Sequence, residues 1–85
     1  MKLADALIER NAIEEAHSIV DRALGIDPYS DALARRAMAL DARRVGRAAA
    51  MERFRRFRAA LRDIGVEPEP ETLSLADSLR GAEEQ

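Results

Sequence analysis

Apolar residues return every three to four positions through most of the chain, the spacing of one buried helix face. Leu3, Leu7 and Ile8 predict a first helix over about 2–10. Asn11 with Glu14 three residues on has the form of a capping box, which predicts a break there and a second helix. That helix carries Ile13, Ala16, Val20, Ala23 and Leu24 on one face and stops at "GIDP", residues 25–28. Ser30 or Asp31 can cap a third helix with Leu33, Ala37, Met38 and Leu40 inward, ended by Gly46. A fourth runs over about 47–63 with Ala50, Phe54, Phe57, Leu61 and Ile64 as its stripe, and a fifth over about 70–80 with Leu73, Leu75 or Ala76, and Leu79. Residues 1–81 read as one all-α domain, with 82–85 a frayed tail.

Between the last two helices lies "GVEPEPET", residues 65–72. Gly65 falls where a helix ends in a left-handed residue, a backbone state that penalises a Cβ. Val66 is placed to fold back as the apolar contact of such a cap. Pro68 forbids further helix and pushes its predecessor extended, whereas Pro70 suits the first turn of a new helix. Glu69 and Glu71 favour that positive end. The segment is a stop, a short connector and a start.

The pattern also repeats. Ala16, Val20 and Ala23 correspond to Ala50, Phe54 and Phe57, each 34 residues later, and Asn11–Ala12 maps onto Val45–Gly46. A 34-residue period of paired antiparallel helices is tetratricopeptide (TPR) spacing, and "A16-x3-V20-x2-A23-L24-x3-P28" resembles the second half of a TPR unit. The second unit departs from it at Phe57 and Arg62. The expected architecture is two TPR-like hairpins plus a C-terminal capping helix, of the α-α superhelix type.

Taken in order, "ALGIDPYSDALARRAMALDARRVGR" and "FRRFRAALRDIGVEPEPETLSLADSLR" resemble the bacterial transcriptional activator domain, over about residues 12–81. Leu61, Gly65, Val66, Pro68, Pro70, Glu71 and Thr72 carry the family's phrase, a basic aromatic helix running into G-V-x-P-x-P-E-T. Glu69 stands where the family usually has Ser. The resemblance implies the TPR-like module that follows a winged-helix DNA-binding domain in SARP-type activators. Because the family's domain is longer, the chain is expected to be its C-terminal portion, a truncated relative or a stand-alone piece. DNA contact is then expected only through an upstream winged-helix domain that this sequence does not contain.

Charge sharpens the candidate sites. The net charge is −2, yet residues 1–34 carry three cations against seven anions, 35–62 carry ten Arg against Asp41 and Glu52, and 63–85 carry Arg80 against seven acids. Arg47, Arg55, Arg58 and Arg62 fall within about 80° on the fourth helix, a basic ridge for phosphate or an acidic protein surface. Its plainer reading is a solvated face paired with the acidic flanks. The TPR resemblance places Asp5, Ile8 and Glu9 on a concave face opposite Arg35, Ala39 and Arg43, a groove for a peptide or neighbouring domain.

The remaining chemistry is sparse. His17, the only histidine, has Asp21 one turn on and reads as a surface pair, since one His and one carboxylate do not make a metal site. No carboxylate is paired with a nucleophile, so no enzyme, cofactor or metal is expected. No cysteine and no signal-peptide or membrane-length run point to a cytoplasmic protein without membrane contact. The implied function is a regulatory, signal-transducing interaction module that meets a protein partner, an adjacent domain or itself through helix faces. Two rivals stand beside it: a TPR-like adaptor unrelated to transcription, and direct nucleic-acid binding through the Arg ridge.

Overall fold

The computed structural model describes the backbone of residues 2–83 and the side chains of residues 9–81. Four helices follow in order: α1 (Lys2–Ile26), α2 (Asp31–Arg44), α3 (Arg47–Asp63) and α4 (Pro70–Glu83). The described residues are all-α and TPR-like, with α2 central: it packs on α1, α3 and α4, and α4 closes the far side against α3.

The expected break at Asn11 is absent, because α1 runs unbroken through it. The reason lies 34 residues on. At the matching turn Gly46 adopts φ 149°, ψ 176°, a region open essentially to glycine alone. Ala12 holds the equivalent place in α1 and cannot copy that turn, while Asn inside a helix costs at most about 0.7 kcal/mol. The hydrogen-bond ladder therefore continues, and the expected first hairpin is one long helix. The second hairpin, α2–α3, forms as expected. The repeat still shows in space, since Glu9 pairs with Arg43 and Arg35 with Glu69, each pair 34 residues apart.

Local signals set the other ends. Ser30 is extended and its Oγ accepts from the Leu33 N–H at 3.2 Å, capping α2. Past α3, Gly65 has φ 71°; its N–H donates to the Arg62 carbonyl at 3.0 Å, and the Val66 N–H to the Leu61 carbonyl at 2.9 Å. This bond pair is a Schellman motif. Val66, however, is 45% exposed and belongs to neither core cluster, so the expected apolar fold-back is not made: the stop rests on the hydrogen bonds. Pro70 opens α4 as expected, and that helix continues past the expected end at 80 to Glu83; the remainder of the expected tail, residues 84–85, lies outside the described residues.

The core is built largely by α2 and α3. Met38, Ala50, Met51, Phe54 and Ala76 form one cluster, and Ala34, Phe57 and Leu61 a second. Burying each Phe stabilises the fold by roughly 2–3 kcal/mol. Among the described residues, Val20 is the buried anchor from α1. Two expected core residues turn outward: Ile64 is 47% exposed because the chain leaves the helix at that residue, and Leu73 is 39% exposed. Leu73 is displaced because Thr72 and Ala76, both buried, set the inward face of α4.

What fixes that face is a polar clip missing from the sequence reading. Asp31, in the first turn of α2, accepts the Glu69 N–H at 2.9 Å and the Thr72 hydroxyl at 2.6 Å through one oxygen. Arg35, one turn on, donates to the Thr72 hydroxyl at 3.0 Å and to Glu69 Oε1 at 3.1 Å. Glu69 is a poor N-cap by itself. Here α2 supplies part of the capping, so "PET" is read by another helix.

Candidate functional site

Two charged regions stand out on this scaffold. The first joins α1, α2 and α3. Asp41 continues the inward stripe of Ala34, Ala37 and Met38, and is only 5% exposed. Arg53 Nε lies 2.8 Å from Asp41 Oδ2, and its Nη1 lies 2.9 Å from Asp21 Oδ1. His17 Nε2 is 2.9 Å from Asp41 Oδ1, whereas Asp21, the partner expected for this His, is 4.0 Å from Nδ1. Burial pushes the Asp41 carboxyl up, but the hydrogen bond and charge of Arg53, aided by His17, outweigh it and hold Asp41 below its ordinary value. The bond to Asp41 raises Arg53 in turn. At the edge, Arg44 Nε bonds Glu14 at 2.7 Å and lowers that carboxyl. The network is satisfied within the chain: it braces three helices.

The concave-face residues are used in similar ways. Glu9 and Arg43 pair with one another in the exposed groove between α1 and α2. Arg35 is engaged by the α4 clip. The Asp5 and Ile8 side chains lie outside the described residues.

The second region is an open crevice of about 460 Å³ along α3 and α4. Its lining includes Ala48, Met51, Phe54 and Ala59, with Arg55, Arg58 and Arg62 from α3 and Arg80 from α4. The structure thus brings together three of the four expected ridge residues. Arg47, the first residue of α3, is not part of the lining. Arg80 was invisible as a site residue, because its place beside α3 depends on how the clip orients α4.

The rim charges differ in their partners. Arg55 meets Glu52 at 3.5 Å and Arg80 meets Asp77 at 3.6 Å, both exposed pairs three residues apart. Such pairs are worth little and exchange readily for a better acid. Among the described residues, no ion pair engages Arg58 or Arg62; the Arg58 guanidinium sits 6.0 Å from the centre of the Phe54 ring. That is the outer reach of a cation–π contact.

Among the described residues, no helix is long and apolar enough to cross a membrane. No curated protein and no solved structure matches the chain. The family model for the bacterial transcriptional activator domain matches residues 1–80. With that match spanning nearly all of its 85 residues, the chain belongs to the bacterial transcriptional activator domain family.

Proposed function

We propose that the chain is a non-enzymatic regulatory module of a bacterial transcriptional activator, acting in the cytoplasm through helix-face contacts. Those contacts are with a neighbouring domain, the transcription machinery or a second copy of itself. The observation that carries this reading is the family match across residues 1–80. It favours an activator over an adaptor unrelated to transcription. The charge distribution supports the interaction part: the Asp41 network and the Glu9–Arg43 pair satisfy their charges between helices, while the α3–α4 crevice leaves cations available to a partner.

A reporter experiment tests it. The chain is fused to a heterologous DNA-binding domain whose site lies upstream of a weak bacterial promoter. Transcription is expected to rise several-fold over the DNA-binding domain alone, with RNA polymerase retained on the purified fusion. A silent reporter with no polymerase retained, and no self-association in sedimentation, would overturn the reading.

A further inference from the structure

Resting on that reading, the geometry points to the α3–α4 crevice as a docking groove for an acidic amphipathic helix of a partner protein. Arg55, Arg58 and Arg62 lie within a roughly 60° arc and span about 10 Å along α3. A partner helix alongside, with carboxylates at i, i+3 or i+4, and i+7, has the same rise per residue and can meet these guanidinia in register. Arg80 faces it from α4, so charge converges from both sides of a concavity rather than along a convex ridge. Beside the charges, the exposed Ala48 and Ala59 give a small apolar surface for anchors of the incoming helix, over the buried Met51 and Phe54. Guanidinium pairs with carboxylate bidentately, which fixes orientation as well as attraction.

Nucleic acid fits the same residues less well. Single-stranded binding uses exposed aromatic faces, and Phe54 is buried beneath the groove at 2% exposure. A duplex presents phosphates to a protein surface and makes no use of an apolar surface.

The experiment uses the full 85-residue chain and three fluorescent probes. The first is an amphipathic helical peptide with Glu along one face beside Leu and Phe; the second has every Glu changed to Gln; the third is a short DNA duplex. The Glu peptide is expected to bind, to weaken as salt rises, and to lose about tenfold or more in affinity with Arg58→Glu and Arg62→Glu together. Circular dichroism of that variant should match the parent, since both side chains lie outside the core. Arg22→Glu on α1 with Arg36→Glu on α2 matches that change in net charge away from the crevice and is expected to leave affinity within about twofold.

Equal binding of the Gln peptide, absence of binding to the Glu peptide, or indifference to the Arg58/Arg62 change would overturn the inference. So would tighter binding of the duplex with the same Arg dependence, which transfers the crevice to nucleic acid. The reporter fusion carrying the two Glu changes separates the readings. Retained activation sinks the crevice alone, whereas a silent parent fusion with peptide binding intact sinks the activator reading alone.

Discussion

The two copies of the 34-residue repeat reach different structures. In the second copy, Val45 and Gly46 reverse the chain and α2 and α3 form a hairpin. In the first, Asn11 and Ala12 stand at the same places and α1 passes straight through. The turn itself explains half of the contrast. The rest lies in what holds the hairpin shut: Asp41 and Arg53 link α2 to α3, and the Asp41 carbonyl accepts both the Val45 N–H at 2.9 Å and the Gly46 N–H at 3.0 Å. Their equivalents in the first copy are Leu7 and Ile19, which cannot form such a link, and Ile19 is 60% exposed. A repeat can keep its apolar period and still lose its shape when one glycine and one ion pair are missing.

The largest test of that contrast gives the second copy the first copy's residues. Asp41→Leu leaves Arg53 with only the half-exposed Asp21 as its partner and should cost about 3 kcal/mol in urea unfolding. Adding Arg53→Ile should recover much of the loss, because an apolar pair can replace a buried ion pair nearly neutrally. A double variant no better than the single one would mean that Asp41 acts mainly through His17.

Gly46→Ala comes next, with an expected loss of about 1–3 kcal/mol from the forced backbone alone. No atom beyond the adjoining residues lies within 4 Å of the added Cβ, so crowding from the rest of the fold does not contribute. Ala12→Gly should cost less, about 1 kcal/mol, and speed amide exchange around residues 9–14 without restoring a turn. A new hairpin in that variant would show glycine to be sufficient and the brace superfluous.

The smallest effect is in acid. Asp41 binds protons less readily when folded, so its contribution is complete above its unfolded value near 4 and drains away as pH falls through the lower folded value. Melting temperature measured against pH should show a shallower acid limb in Asp41→Asn than in the parent.

Where structure depends on neighbouring residues, the sequence was readable. The bounds of α3, the Gly65 stop, Pro70 opening α4, and Val20, Met38, Phe54, Phe57 and Leu61 inside all follow from local signals. Asn11 misled because a capping box and a mid-helix Asn–Glu pair have the same letters, and only tertiary context separates them. Asp41 was legible in principle as an acid on an apolar stripe. Asp31, Thr72 and Arg80 were not, since their roles depend on contacts between chain segments some forty residues apart or on the resulting register of α4. The Arg ridge was visible as a stripe, whereas its concavity exists only once α4 is in place.

The Asp31 carboxylate touches the opening turns of both α2 and α4, whose unpaired amides make each end partly positive. One anion thus serves two poles, and detaching the last helix would leave its amino end uncompensated. This ties the carboxyl-terminal segment to the melting of the body: its deepest amides should open only when α2 opens, as a single unfolding unit rather than a fraying appendage.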